Sequence, residues 1–268
     1  MKIDIRHTSV PFHWFGNLVA GVRFNSVTPL NATELRYLKK RRFRLASALA
    51  SLANWYAVRT GIKMRVLANA AWHRHEPLMY SMLLGRSVVA AGDALLLPRL
   101  PGRSLLSLLE ESQPLNDESE LGLSLAVFEL ARLHARWTPH PWDGKPQRFS
   151  HADATVGNVL VDLERECVHW IDFETTHEPS LPAPVRHADD LLTLLCSAAV
   201  AVETESLPRL CQILLQGYSS RPVAEAMLKL IDSWEKSPAA RQLAFPGLKG
   251  PRWSLLCQAA FPAACRSD

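Results

Sequence analysis

One short segment, residues 150–174, constrains the folding of this chain more than any other. It reads SHADATVGNVLVDLERECVHWIDFE and contains His151, Asp153, Asn158 and Asp172. Asp153 and Asn158 are close enough in sequence to share one loop. The chain between Asn158 and Asp172 has two short apolar runs separated by a charged stretch, which predicts two strands joined by a turn. Such a hairpin would return Asp172 to the side of Asn158, so we expect these polar side chains to converge.

The residue types in this segment suit the transfer of a phosphoryl group. That reaction needs a carboxylate that orients the attacking hydroxyl and accepts its proton, and oxygen ligands that hold Mg²⁺ on the phosphates. Asp153 is our candidate for the first role. Asn158 and Asp172 are the candidates for the second, because amide and carboxylate oxygens suit Mg²⁺. An ordinary hairpin with incidental acidic residues is the alternative interpretation.

The segment resembles the catalytic loop and metal-binding segment of the kinase-like phosphotransferases. This superfamily includes aminoglycoside phosphotransferases, choline kinases and bacterial lipopolysaccharide sugar kinases. Their usual loop is H-G-D-x-x-x-x-N, followed by I-D-F-E or I-D-W-E. This chain has Ala152 where glycine is usual, and Phe173 with Glu174 matches the small-molecule branch better than the D-F-G of protein kinases.

The resemblance implies a fold and a set of residue roles. The fold would be α+β, protein-kinase-like and two-lobed, with a small β-rich lobe at residues 1–100 and a mostly helical lobe at residues 101–268. Asp153 would be the catalytic base, whereas Asn158 and Asp172 would hold Mg²⁺ on the phosphates of ATP.

Two further segments extend the resemblance. Residues 95–105 resemble the inter-lobe hinge, whose backbone contacts the adenine, so Leu97 and Arg99 are nucleotide-binding candidates. A strand–turn–helix junction unrelated to a nucleotide is the alternative.

The other segment, residues 186–192, resembles the one whose aspartate hydrogen-bonds to the backbone of the catalytic loop. Asp190 fits that position best and Asp189 second, and His151 would brace the same loop as a structural residue. Acidic residues favoured by the dipole of a helix N-terminus are an alternative that is compatible with this role.

The N-terminal third matches the family less closely. It has no G-x-G-x-x-G, although Gly16 and Gly21 flank a candidate hairpin. Lys63 lies in an alternating segment that predicts a strand, and Glu76 follows it by thirteen residues. We predict this pair to be the lysine and glutamate that face the nucleotide, with a solvated Lys63 as the alternative. Pro77 would place Glu76 at the start of its helix.

A cluster of basic residues, Lys39 to Arg44, lies within residues 31–58, where the apolar spacing predicts a helix. We favour the solvated face of that helix as its role. Contact with an anionic membrane surface is the alternative, and would suit a membrane-bound acceptor. Nucleic-acid binding is not favoured, because few aromatic residues interleave with the basic ones.

The composition sets the remaining bounds. The chain has 268 residues, a net charge of +4 and no run of eighteen apolar residues. Its N-terminus lacks the apolar core of a signal peptide, so we expect a cytoplasmic protein. Five cysteines without a C-x-x-C pair predict free thiols.

These observations predict an ATP- and Mg²⁺-dependent phosphotransferase that acts on a hydroxyl of a small molecule or sugar, such as a lipopolysaccharide sugar. The alternative is a catalytically silent kinase-fold protein that binds a nucleotide or a partner protein. A hydrolase that uses Ser150, His151 and Asp153 is a more distant third.

Overall fold

The computed structural model describes residues 25–29, 36–41, 50–55, 57, 63–236, 245 and 247–264. The strands in chain order are β1 (Asn25–Pro29), β2 (Arg36–Arg41), β3 (Met64–Val66), β4 (Val89–Ala91), β5 (Ala94–Pro98), β6 (Arg103–Ser104), β7 (Trp137–Pro139), β8 (Pro146–Arg148), β9 (Val159–Asp162), β10 (Cys167–Trp170) and β11 (Thr175–His177). Besides a helical stretch at residues 50–55, the helices among the described residues are α1 (Asn69–Leu84), α2 (Leu105–Glu111), α3 (Asp117–His134), α4 (Ala183–Ala201), α5 (Leu207–Gly217), α6 (Arg221–Lys236) and α7 (Gly250–Ala264). Small antiparallel sheets and helices therefore combine in a mixed architecture that is compatible with the predicted α+β class.

The largest sheet among the described residues has the strand order β1-β2-β5-β4. Strand β2 pairs with β1 through residues 37–41 and with β5 through residues 36–40. The helix predicted across residues 31–58 is therefore wrong at residues 36–41, whereas residues 50–55 are helical as predicted. Pairing on both sides satisfies the backbone hydrogen bonds of β2, and this tertiary gain outweighs the local helical spacing.

Helix α1 corrects the prediction that Glu76 begins a helix. The helix starts at Asn69 and runs for sixteen residues, so that Glu76 and Pro77 both lie in its middle. Its buried face carries Trp72, Glu76, Met79 and Leu83, at the spacing expected of one helical face. Burial of that face stabilises the helix despite the N–H that proline lacks.

The hairpin predicted between Asn158 and Asp172 is confirmed. Strands β9 and β10 pair antiparallel, with Val159 opposite Trp170 and Asp162 opposite Cys167. The backbone N–H of Ile171 also donates to the carbonyl of Asn158 at 3.0 Å, which extends the pairing toward Asp172. Strand β6 pairs with the other edge of β9.

A second pairing joins distant parts of the chain. Strand β3, which directly precedes α1, pairs antiparallel with β11, which directly follows the Asp172 segment. The backbone N–H of Leu67 donates to the carbonyl of Glu174 at 2.9 Å, and Arg65 forms an ion pair with Glu178 at 3.1 Å. The start of α1 is therefore fixed against the segment that carries Asp172.

The helices pack around one extensive apolar cluster. It runs from Trp72 of α1 through Leu95 of β5 to Leu130 of α3, and onward into α4, α5 and α7. The apolar periodicity of residues 121–134 also predicts a core helix, and these residues lie within α3. Within the described ranges, no helix combines the length and the apolar character needed to cross a membrane.

Candidate functional site

Lys39 lies at the centre of a buried group of charged residues. Its side chain is only 2% exposed, and its ammonium group contacts both carboxylate oxygens of Glu76 at 2.8 Å. The same ammonium group donates to Oδ1 of Asp172 at 2.6 Å. The indole N–H of Trp72 also donates to Glu76. One cation therefore joins β2, α1 and the segment after β10.

The charge of Lys39 depends on these partners. Burial alone would lower the pKa of the ammonium group, but the charges of Asp172, Glu76 and Glu174 offset this and raise that pKa above its ordinary value. A buried charge is tolerated when it is paired and hydrogen-bonded. Lys39 is therefore a permanently charged group that faces the acidic end of the hairpin.

The predicted Lys63–Glu76 pair is wrong in one partner. Glu76 is the buried acid on a helix, as expected, but its ammonium partner is Lys39. Lys63 is half-buried immediately before β3, next to the pairing with β11. The sequence signal that could have identified Lys39 is the alternation along β2, which places Tyr37, Lys39 and Arg41 on one face of the strand. This alternation is hard to recognise because the opposite face of β2 also carries charged residues.

Arg41 shares the inward face of β2 with Lys39, and the sequence did not single it out. Its guanidinium group lies 4.7 Å from the ring centre of Trp72 and 3.5 Å from Glu174, and it donates to the carbonyl of Leu67 at 2.9 Å. Cation–π contacts of this kind add to the stability of a buried cation. Arg41 thereby holds Glu174 beside the Lys39 group.

These positions change the interpretation of the basic cluster from Lys39 to Arg44. Lys39 and Arg41 are buried and face carboxylates, so they do not form a basic surface. Lys40 is exposed and pairs with Asp93 at 3.0 Å. Residues 42–44 lie outside the described residues, as do Gly16 and Gly21.

Glu174 occupies an unusual environment for a carboxyl group. Its burial and the negative charge of Asp172 raise its pKa to about 8, against the opposing effects of Lys39 and Arg41. The amide of Asn25 in β1 donates to the same carboxyl group. Together, Lys39 and Arg41 face three carboxyl groups, those of Glu76, Asp172 and Glu174.

Asp153 and Asn158 are in direct contact within the loop before β9. The side-chain amide of Asn158 donates to the backbone carbonyl of Asp153 at 2.8 Å and to its carboxylate at 3.0 Å. Burial, together with the negative charge of Asp172, raises the pKa of Asp153. A raised pKa makes a carboxylate a better proton acceptor.

Asp190 holds the backbone of this loop. Its two carboxylate oxygens accept from the backbone N–H groups of His151 and Ala152, each at 2.7 Å. His134 contacts the same carboxylate at 2.9 Å. Burial would raise the pKa of Asp190, but the neighbouring ring of His177 and the hydrogen bond from His134 hold it well below its usual range. Asp190 lies in the second turn of α4, beyond the first-turn positions that the helix dipole favours.

His151 and Ala152 have separate places in the loop. The ring Nε2 of His151 contacts the carbonyl of Ile171 at 2.9 Å, which joins the loop to the residue before Asp172. Ala152 has a left-handed backbone with φ of 68°, which explains why glycine is more comfortable at this position.

Asp172 also has a left-handed backbone, with φ of 68°. Its neighbour Phe173 is buried and contacts the rings of Tyr80 and His151, with centroid distances of 5.8 and 5.3 Å. Non-glycine residues in this conformation cost about 1–3 kcal/mol each and cluster at functional sites. The anchored Phe173 holds Asp172 in this conformation, and the Asp172 side chain remains 33% exposed.

The hinge candidates lie at the end of β5. Leu97 is buried and pairs with Tyr37 of β2, and Arg99 is exposed just after the strand. The pairing of β5 with β4 stops at Leu96. The backbone beyond Leu96 is therefore not paired with β4.

The donor atoms fit a hard cation. Asn158 uses its amide hydrogens on Asp153, which leaves its carbonyl oxygen as the group that can ligate, and Asp172 supplies carboxylate oxygen. Across the described residues, no group of three or more His, Cys, Asp or Glu is arranged to hold a metal. Two protein oxygens with water and phosphate completing the shell is a common arrangement for Mg²⁺.

In comparisons with known proteins, no family model matches this chain and no curated protein matches it significantly.

Proposed function

We propose that the protein is an ATP- and Mg²⁺-dependent phosphotransferase with a kinase-like, two-lobed fold. It transfers the terminal phosphoryl group of ATP to a hydroxyl of a small molecule or sugar. The observation that carries this proposal is the contact of Lys39 with both Glu76 and Asp172, beside a loop in which Asp153 and Asn158 are hydrogen-bonded. Lys39, Glu76 and the segment of residues 150–174 are distant from one another in the sequence, and a purely structural core does not require this combination.

Each residue has a defined task under this proposal. Asp153 orients the acceptor hydroxyl and takes its proton, for which its raised pKa is suited. Lys39 directs its charge at the phosphates and is held in place by Glu76. Mg²⁺, when bound by Asn158 and Asp172, neutralises charge on the transferred phosphoryl group.

The charges around Lys39 support the binding of a cation. Three carboxyl groups face two cationic side chains, and Glu174 has a raised pKa partly because of the nearby charge of Asp172. A divalent cation at Asp172 would reduce this repulsion. With the cation at Asp172, the ammonium group of Lys39 could contact phosphate in place of Asp172 and still remain paired with the carboxylate of Glu76.

The decisive experiment measures thermal stability with Mg²⁺ and ATP, for the wild type, Asp172→Ala and Asp143→Ala. Asp143 is a matched control because its side chain is 39% exposed and pairs with Lys145. A ligand that binds only the folded state raises the melting temperature. We expect a Mg²⁺-dependent rise in the wild type and in Asp143→Ala, and none in Asp172→Ala.

Phosphoryl transfer is then measured from labelled ATP to a panel of sugars and amino alcohols. Asp153→Asn should reduce transfer by about 10²- to 10⁴-fold while keeping the thermal shift, because it removes the proton acceptor and not the nucleotide site. A thermal shift without transfer to any acceptor or to water would favour the silent binding protein. No shift with ATP and Mg²⁺ at millimolar concentration would overturn the proposal.

A further inference from the structure

Three hydrogen-bonded side chains, those of Ser150, His177 and Asp189, lie beside the catalytic loop and have no task in the proposed transfer. Ser150 directly precedes the loop, and its Oγ lies 3.0 Å from Nδ1 of His177 in β11. Nε2 of the same ring lies 3.2 Å from Oδ2 of Asp189 in α4. His177 is only 1% exposed. These hydrogen bonds therefore link the start of the loop to a strand and a helix that follow it in the sequence.

The direction of each hydrogen bond follows from Asp189. A carboxylate can only accept, so Nε2 of His177 carries a hydrogen and donates to Asp189. In the neutral imidazole Nδ1 is then an acceptor, and the hydroxyl of Ser150 donates to it. The guanidinium group of Arg186 donates to the carbonyls of Leu181 and Arg148, and its Nε donates to a lone pair of the same Oγ at 3.3 Å.

The hydrogen bonds of Ser150, His177 and Asp189 hold the loop in addition to those of Asp190. Asp190 accepts from the backbone N–H groups of His151 and Ala152, while Asp189 acts through His177 on the side chain of Ser150. Two consecutive aspartates of α4 thus hold three consecutive residues that precede Asp153. Thr175 lies on the same face of β11 as His177, and its hydroxyl donates to the carbonyl of His151 at 3.2 Å.

We propose that Ser150, His177 and Asp189 are positioning residues that fix the catalytic loop, and hence the carboxylate of Asp153, relative to β11 and α4. This inference rests on the proposed phosphotransferase function for its effect on catalysis. A small displacement of a catalytic carboxylate can cost far more in rate than in stability, because the reacting atoms must be aligned. The three positioning residues therefore affect the turnover rate and leave nucleotide binding unchanged.

A serine, a histidine and an aspartate in contact also occur in hydrolases. There Nε2 of the histidine faces the serine and Nδ1 faces the acid. In this protein the ring is reversed, and Arg186 already occupies Oγ of Ser150. The geometry thus favours positioning over a nucleophilic serine.

The test compares Ser150→Ala, Ser150→Thr, Asp189→Ala and the double variant Ser150→Ala/Asp189→Ala. The first readout is hydrolysis of Mg²⁺-bound ATP with water as the acceptor. We expect Ser150→Ala to lower kcat about tenfold with KM for ATP unchanged, and Ser150→Thr, which keeps the hydroxyl, to restore it. Because Asp189 acts through His177 on Ser150, the kcat of the double variant should be no lower than that of Ser150→Ala alone.

The second readout is hydrogen exchange of residues 150–158 in the free protein, which requires no activity. We expect faster exchange in Ser150→Ala and in Asp189→Ala, with no further increase in the double variant. If the wild type transfers the phosphoryl group of ATP neither to water nor to any acceptor of the panel, the proposed function fails, but the exchange readout still tests the role of the three residues. Unchanged exchange, additive losses, or a loss of stability without a change in kcat would overturn the inference. So would hydrolysis of a p-nitrophenyl ester that Ser150→Ala abolishes.

Discussion

At the scale of single residues, Lys39 shows how strongly a buried charge depends on its partners. Its ammonium group contacts Glu76 and Asp172, which are 37 and 133 residues away in sequence. Removal of one member of a buried ion pair leaves the other charge without compensation, and this is the costly step. The same residue is thus a stability element and, under the proposed function, the group that faces the phosphates.

We predict that Lys39→Met lowers the free energy of unfolding by about 3–5 kcal/mol and abolishes the thermal shift with Mg²⁺ and ATP. Lys63→Met is the matched control, because this half-buried lysine is outside the pair with Glu76. It should change the free energy of unfolding by less than about 1 kcal/mol. Urea unfolding of both variants provides the comparison, and equal losses would contradict the assignment of Lys39.

Glu174 predicts a pH dependence of stability. Burial and the charge of Asp172 raise its pKa from 4.5 to about 8, so the folded protein binds this proton more tightly than the unfolded chain. This contribution therefore makes stability fall as pH rises from about 4.5 to about 8. Glu174→Gln cannot ionise, so its stability relative to the wild type should increase over that window.

Urea unfolding at pH 5, 6.5 and 8 measures this difference. Glu111→Gln is the matched control, because it removes a glutamate whose side chain is 63% exposed. A difference between Glu174→Gln and the wild type that is the same at all three pH values would argue against the raised pKa.

At the scale of elements, the β9–β10 hairpin is the unit on which the site is built. It places Asn158 before its first strand and Asp172 after its second, and β6 holds its outer edge. Gly102 lies in the short connection between the hinge candidates and β6. Its φ of +101° is one that side-chain-bearing residues rarely adopt, and a Cβ there would lie 2.5 Å from the carbonyl oxygen of Val161.

We predict that Gly102→Ala costs about 2 kcal/mol or more, because the backbone strain adds to a collision with the backbone of β9. Gly92→Ala is the control, since φ at Gly92 is also positive, at +62°, but a Cβ there would have no neighbour within 4 Å. Its cost should be about 1 kcal/mol from the backbone alone. Thermal unfolding of the two variants separates these contributions, and equal costs would show that β9 yields to the new methyl group.

At the scale of the whole molecule, the β3–β11 pairing connects the helix that carries Glu76 to the segment that carries Asp172. The hydrogen bond between Leu67 and Glu174 and the contacts of Lys39 reinforce this connection. Segments joined in this way tend to open together, because separating them breaks several hydrogen bonds at once.

We therefore predict that Mg²⁺ with ATP slows hydrogen exchange in residues 64–84 and in residues 150–178 together. Asp172→Ala should abolish both effects, and the distant helix α6 should exchange at the same rate with and without the nucleotide. Slowing that is confined to one of the two segments would show that they respond independently.

Some features of the candidate site depend on residues that are close together in the sequence, and others depend on residues that are far apart. The loop with Asp153 and Asn158, the hairpin and the core helix at residues 121–134 follow from spacing and apolar periodicity, because these signals act over a few residues. Asp190 was found through resemblance, and the structure shows it accepting from two backbone N–H groups of the loop.

The choice of Lys39 over Lys63, and the presence of Arg41 and Glu174 beside it, were decided by tertiary structure alone. A basic stretch that predicts a helical surface becomes a central strand only because β1 and β5 pair with it. A lysine can then be buried only where carboxylates from other elements compensate its charge. Spacing in sequence fixes the hairpin and its acids, whereas the strand pairing that brings a cation to them exists only in the folded chain.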